Sequence, residues 1–228
     1  MYLRSLPDDV SHVSLFSDSC PGQNRNRVMA AALLNAVEYL PNINVIDQKF
    51  LEPGHTQMEV DSVHAAIERA KKATSVFVPS QWDTVIRLAR KKRPYSVIPL
   101  KYSDFLDFKS MSNSLIPSNV NDCTGQKVLW MQMKWIQYRK RDQGQIFFKY
   151  EFDSPEFKSF RVRQTRSTTE IRPCYTGKLP IPYSKKADLL SLCKSGVIPD
   201  EFHLYYDDMK SQKDNDAGKS VDTDEECD

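Results

Sequence analysis

The chain has 228 residues, of which 40% are hydrophobic and 27% are charged, the balance of an ordinary globular protein. No apolar run approaches the ~18 residues of a transmembrane helix, and residues 1–10 lack the apolar segment of a signal peptide. Five scattered cysteines without a CxxC pair argue against a structural zinc site and fit a reducing compartment. We therefore expect an intracellular protein, in the nucleus or the cytoplasm, with no membrane partner.

The formal net charge of +2 is unevenly distributed along the chain. Residues 213–228 contain two lysines and seven acidic residues, which leaves 30 basic and 23 acidic residues in the rest of the chain. A basic body is typical of nucleic-acid contact, and it is equally compatible with a solvated surface.

The order of the predicted elements indicates an α/β fold with five segments. Residues 1–10 are a lead-in, and residues 11–101 alternate strands and helices. In that part we predict a buried strand around Val13, an apolar helix from Val28, a strand near a sheet edge at residues 44–51, a helix from Asp61 and a strand at residues 95–100. Residues 102–127 form a connecting segment, residues 128–210 a small antiparallel β-meander with two C-terminal helices, and residues 211–228 a disordered acidic tail.

Acidic residues follow the predicted strands where an open α/β sheet binds ligands. Asp18 ends the first strand, and Asp61 and Glu68 share one face of the later helix. Converging carboxylates at Asp18 and Asp61 would hold Mg²⁺, because this cation prefers oxygen ligands and bridges phosphate oxygens. His55, in a Pro-Gly-His-Thr turn, is a candidate acid or base. The alternatives are a turn former at Asp18, a helix cap at Asp61, a solvated side chain at Glu68 and a loop hydrogen bond at His55.

Two clusters have the side chains of a nucleic-acid contact. Amide and guanidinium groups gather at the predicted start of the first helix, at Gln23, Asn24, Asn26 and Arg27. A basic run ends a later helix, at Arg90, Lys91, Lys92 and Arg93. Residues 87–93, 134–141 and 158–166 together predict a continuous basic binding face. The alternative for the first cluster is helix capping.

Two motifs resemble the signatures of an uncharacterised domain family found in transposable-element-derived proteins. Residues 17–26 resemble its SDxCxGQNxN signature, and residues 50–68 resemble FLxPGHTxxxxDxxxxxIE. The family is similar to ribonuclease H-like transposase cores, in which acids on a central strand, a neighbouring strand and a helix bind two Mg²⁺ ions. The resemblance implies that Asp18 is the neighbouring-strand acid and that Asp61, or else Glu68, is the helix acid.

Such cores open with a β-meander whose first strand supplies a carboxylate, and only ten residues precede the first strand here. The resemblance therefore implies a partial core, from a fragment or a degenerate copy, with a partner chain as a source of the missing half. We expect a transposon-derived, ribonuclease H-like domain with weak or no Mg²⁺-dependent phosphoryl transfer on nucleic acid. The alternatives are a non-enzymatic module that binds nucleic acid or protein, and, ranked last, a small-molecule enzyme that uses His55 and Asp61.

Overall fold

The computed structural model describes residues 2–52, 54, 58–163 and 171–213. Within these ranges the chain is a mixed α/β protein with six α-helices, one five-stranded mixed sheet and one two-stranded sheet. The helices are α1 (Arg27–Tyr39), α2 (Glu59–Lys72), α3 (Gln81–Leu88), α4 (Phe108–Leu115), α5 (Tyr183–Lys194) and α6 (His203–Asp207). The strands are β1 (His12–Ser17), β2 (Val45–Phe50), β3 (Trp135–Arg139), β4 (Gln145–Lys149), β5 (Lys158–Arg161), β6 (Ile181–Pro182) and β7 (Ser211–Gln212).

The chain divides into two compact units. The first comprises Met1–Thr56 and Leu106–Arg172, and the second comprises Gln57–Phe105 and Pro173–Asp228. The five-stranded sheet lies in the first unit, in the order β1-β2-β3-β4-β5. Strands β1 and β2 are parallel, and each later neighbour is antiparallel. The predicted meander is thus a continuation of the sheet that β1 and β2 begin.

Helix α1 covers one face of this sheet. Asn26 caps its first turn, because its side-chain oxygen accepts a hydrogen bond from the backbone N–H of Met29 at 2.8 Å. The apolar residues of this helix are then buried, as expected from the prediction of an apolar and well-buried helix. The shared core contains Ala30, Leu33, Leu34 and Val37 of α1 with Ile46, Ile136, Tyr138, Ile146, Phe148 and Phe160 of the sheet. Burial of each large side chain contributes ~1.5–3 kcal/mol before entropic costs.

A buried polar chain ties β2 to the loop before α1. The Tyr138 hydroxyl donates to Oε1 of Gln48 at 2.9 Å, and Gln48 Nε2 donates to the backbone oxygen of Asn24 at 2.8 Å. Gln48 is 4% exposed, so these bonds provide the partners that a buried amide requires. Burial raises the pKa of the Tyr138 hydroxyl well above its ordinary value, which keeps it a donor.

The prediction of a buried first strand was wrong, whereas the predicted strand near a sheet edge is confirmed, because β2 neighbours the edge strand. Strand β1 forms an edge of the sheet, with alternating exposed and half-buried residues, and β2 lies inside the sheet between β1 and β3. The alternation along β2 comes from polar side chains on one of its faces. No strand forms at residues 95–100; Pro99 lacks the N–H that a sheet ladder needs.

The second unit contains α2, α3, α5, α6 and the small β6–β7 sheet. Its core is small and centres on Val78, Cys193, Ile198 and Tyr206. Before α3, the backbone N–H groups of Phe77 and Val78 donate to Oε1 of Gln81 at 2.7 and 3.1 Å.

Candidate functional site

Asp18 follows β1 and organises the turn after it. Its Oδ1 accepts hydrogen bonds from the backbone N–H of Cys20 at 3.3 Å and from Nδ2 of Asn24 at 2.6 Å. The structure therefore shows the turn-forming arrangement that the sequence analysis left as one alternative for Asp18.

Most side chains of the amide and guanidinium cluster at residues 23–27 already make hydrogen bonds within the protein. Asn26 caps α1 and also donates from Nδ2 to the backbone oxygen of Pro21 at 2.8 Å. Arg27 donates to the backbone oxygen of Ile116 at 3.1 Å, and Gln23 is exposed. Three of the four predicted contact residues, Asn24, Asn26 and Arg27, thus hold the loop to its neighbours.

Asp61 lies in the first turn of α2 and belongs to the second unit. Its Oδ2 accepts a hydrogen bond from the backbone N–H of Met58 at 2.9 Å, which is the capping role of an acid at this position. Glu68 is exposed on the same helix, and His55 lies outside the described residues. Asp18 and Asp61 are therefore in different units, each engaged by its own neighbouring backbone.

Within the described ranges, no group of three or more His, Cys, Asp or Glu side chains lies close enough together to hold a metal ion. The Mg²⁺ site at Asp18 and Asp61 remains a prediction. The basic run of the second unit is exposed at Arg90, Lys91, Lys92 and Arg93, and the Arg90 guanidinium lies 5.8 Å from the ring of Tyr95.

The strongest concentration of functional groups lies on the sheet face opposite α1, here called the polar face. Strand register aligns its side chains in three rows that run across the strands. The first row contains Phe16, Lys49, Trp135 and Lys149. The second contains Ser14, Asp47, Gln137, Phe147 and Ser159, and the third contains His12, Val45 and Arg139.

The centre of the polar face is the buried carboxylate of Asp47, which is 2% exposed. Its Oδ1 accepts hydrogen bonds from Nε1 of Trp135 at 2.8 Å and Nε2 of Gln137 at 2.7 Å. Its Oδ2 accepts from Nε2 of His12 at 2.7 Å and Oγ of Ser14 at 3.3 Å. Four donors from β1 and β3 thus satisfy both oxygens, so Asp47 joins three strands.

These hydrogen bonds also set the charge of Asp47. Burial acts to raise its pKa, but hydrogen bonds from Gln137, Trp135 and His12, with the charge of protonated His12, outweigh that effect. The pKa of Asp47 therefore lies below its ordinary value, and the carboxylate is ionised at neutral pH.

The first row is a ladder of alternating aromatic rings and ammonium groups. Lys49 Nζ lies 5.4 Å from the ring centroid of Phe16 and 4.3 Å from that of Trp135. Lys149 Nζ lies 5.2 Å from the Trp135 centroid and 4.6 Å from that of Phe157. All these distances fall within the ~6 Å range of a cation–π interaction. We call the set Phe16, Lys49, Trp135, Lys149 and Phe157 the aromatic–cation ladder.

Sequence reasoning missed Asp47 and the aromatic–cation ladder. The alternation of residues 45–50 did place Asp47 and Lys49 on one side of a strand, which was a partial indication. The partners, however, come from β1 and β3, and Asp47 and Gln137 are 90 positions apart. Only the pairing of β2 with β3 brings them together.

The fold and this site define a mixed α/β protein whose five-stranded sheet has aromatic and basic side chains on one face. Nothing matches the chain among protein-family models, curated proteins or solved structures. In the described part of the chain, no helix is long and apolar enough to cross a membrane.

Proposed function

We propose that this protein binds single-stranded nucleic acid, without catalysis, through the polar face of its five-stranded sheet. The observation that carries the proposal is the aromatic–cation ladder. Proteins that bind single strands combine aromatic side chains, on which bases stack, with cations that contact the phosphates. The ladder provides both groups in alternation along one row.

The ladder contains one exposed ring, Phe16, and two half-buried rings, Trp135 and Phe157. Phe16, on the edge strand β1, is 58% exposed, and Trp135 lies two strands further on. The hydrogen bond from Trp135 to Asp47 and the edge contact with Phe157, at 5.0 Å between centroids, hold the indole in place. A ring that is already fixed loses little conformational freedom when a base stacks on it.

The charge of the polar face favours an anionic ligand. Lys49, Lys149 and Arg139 are its cations, and Asp47 is the only acid in the three rows. Asp47 lies beneath the surface, and its four hydrogen-bond donors offset its charge. The Lys49 ammonium interacts with neutral rings, so its positive charge remains available to phosphates. Lys149 is 8% exposed and donates to the backbone oxygen of Ser154, so its charge acts from within the sheet.

The geometry favours single strands over duplexes. The bases of a duplex are stacked on each other, so their faces cannot contact rings that project from a sheet.

The test is a titration of the full chain against a labelled oligonucleotide of about 12 nucleotides, single-stranded or annealed, at ~0.05 and ~0.2 M salt. We expect tighter single-strand binding that weakens with salt; equal binding of duplex, or no binding, would contradict the proposal.

We keep the ribonuclease H-like relationship as a proposal about the origin of the fold. The resemblance places an antiparallel meander before β1, and in this chain β3–β5 pair in the same sheet beside β2. The acid on an inner strand is Asp47, whose two oxygens already accept four hydrogen bonds. Its engagement favours a binding role over the Mg²⁺-dependent reaction that the resemblance implies.

A further inference from the structure

An open pocket of about 620 Å³ lies at the third-row end of the polar face. It is lined by His12, Asn44, Val45, Gln137, Arg139, Lys140 and Arg141. All of these residues belong to the first unit, at the start of β1 and β2 and the end of β3. The pocket is therefore adjacent to the Asp47 hydrogen-bond network, because His12 and Gln137 belong to both.

Three of the seven residues that line the pocket are arginine or lysine. Arg139, Lys140 and Arg141 are consecutive, and the acid beside them is Asp142, whose Oδ2 lies 3.7 Å from Nη1 of Arg139 and 3.5 Å from Nε of Arg141. Lys140 Nζ donates to the backbone oxygens of Leu40 and Pro41, at 2.5 and 2.9 Å. These carbonyl groups fix the ammonium without neutralising it, and the two neighbouring guanidinium groups share the single carboxylate of Asp142.

The buried Asp47 holds two of the lining side chains in place. Gln137 donates to Asp47 and accepts, at its Oε1, a hydrogen bond of 2.5 Å from Nε of Arg139. The Arg139 guanidinium also lies 3.9 Å from the ring centroid of Phe147. His12 is fixed by its own bond to Asp47. A guanidinium held in this way binds an anion at a small entropic cost.

We infer that this pocket binds a phosphate monoester, at the end of a nucleic-acid strand or on a free mononucleotide. A monoester carries up to two negative charges and three terminal oxygens, which suits several donors around one cavity. For a phosphate at the end of a nucleic-acid strand, the inference rests on the proposed function. For a free mononucleotide, it does not. The pocket and the ladder lie on the same face, so one strand would place its bases on the rings and its terminal phosphate in the pocket.

The test compares oligonucleotides of one sequence that carry a 5′-phosphate, a 3′-phosphate or hydroxyl ends, by fluorescence anisotropy with the full chain. A second arm titrates adenosine monophosphate and adenosine by calorimetry. We expect about tenfold tighter binding of one phosphorylated oligonucleotide, from one or two additional charge-assisted hydrogen bonds. Arg141→Gln should remove most of this difference. Its side chain is 83% exposed, so the fold should not change.

The matched control is Arg163→Gln, at an exposed arginine outside the pocket lining; it should keep the full phosphate preference. Binding of the mononucleotide but of no oligonucleotide would support the pocket and contradict the proposed function. If the oligonucleotides bind with equal affinity with or without a terminal phosphate, and the mononucleotide does not bind, the phosphate site in the pocket is contradicted. The proposed function would not be affected by that result. A phosphate preference that survives Arg141→Gln would also overturn this assignment.

Discussion

The ring nitrogen Nε2 of His12 donates a hydrogen bond of 2.7 Å to the Asp47 carboxylate, although 35 positions separate the two residues. His12 is half exposed on an edge strand and Asp47 is buried in the next strand. This contact links the core of the sheet to its polar face, because the same carboxylate also holds Trp135 and Gln137. A change at Asp47 should therefore alter both stability and binding.

Asp47→Asn should lower the free energy of unfolding by ~2–4 kcal/mol, because an amide cannot accept four hydrogen bonds and leaves buried donors without partners. Urea denaturation followed by circular dichroism measures the change. Asp142→Asn is the control, since Asp142 is a partly exposed acid in the same unit with longer ion pairs. It should stay within ~0.5 kcal/mol of the wild type. Equal stability of Asp47→Asn and wild type would show that the network does not hold the strands together.

The stability that Asp47 contributes should depend on pH in the acidic range. Its pKa in the folded protein lies below the ordinary value of 3.8, so its contribution is complete above that value. It is lost as the pH falls through the lower pKa of the folded state, where the carboxylate is protonated in both states. The difference in melting temperature between wild type and Asp47→Asn should therefore shrink as the pH falls from about 5 to about 2.

Other acids cancel from that difference because both proteins contain them. Asp122, whose pKa is lowered to about 2 chiefly by its hydrogen bond with Thr124, is one example. A difference in melting temperature that is constant over this range would contradict the assignment of an ionised carboxylate to Asp47.

Local patterns predicted local structure well. Asn26 caps α1, and the apolar residues of α1 pack into the core. Both features were predictable because each depends on residues within one or two helical turns. The sequence analysis selected Asp18 and Asp61 as candidate site residues. In the structure, each carboxylate accepts a hydrogen bond from a nearby backbone N–H group. What the sequence did not reveal was the long-range pairing of β2 with β3. That pairing converts Lys49, Trp135 and Lys149 from separate residues into one row.

Lys49 should contribute to the salt dependence of nucleic-acid binding. If its ammonium contacts one phosphate, Lys49→Gln should weaken single-strand binding at low salt and reduce the salt slope by about 1. Lys127→Gln is the control, at an exposed lysine outside the strands of the sheet. An unchanged slope in Lys49→Gln would mean that the strand does not cross the ladder at this lysine.

Asp18→Asn tests the Mg²⁺ hypothesis separately. On the binding proposal, the variant should bind oligonucleotide within a few-fold of wild type, because Asp18 serves the turn before α1. Neither protein should cleave a labelled single strand in the presence of Mn²⁺. Metal-dependent cleavage by the wild type that disappears in Asp18→Asn would favour the ribonuclease H-like reaction instead.

The most direct measurement of the central claim is the affinity of Phe16→Ala for a single-stranded oligonucleotide, beside that of Tyr39→Ala. Both side chains are 58% exposed in the first unit, but Phe16 lies on the polar face and Tyr39 lies on α1, which covers the opposite face. Loss of one stacking platform should cost ~1–3 kcal/mol, which weakens binding by about 5- to 150-fold in Phe16→Ala and leaves Tyr39→Ala unchanged. Equal affinities of the two variants and the wild type would contradict the account.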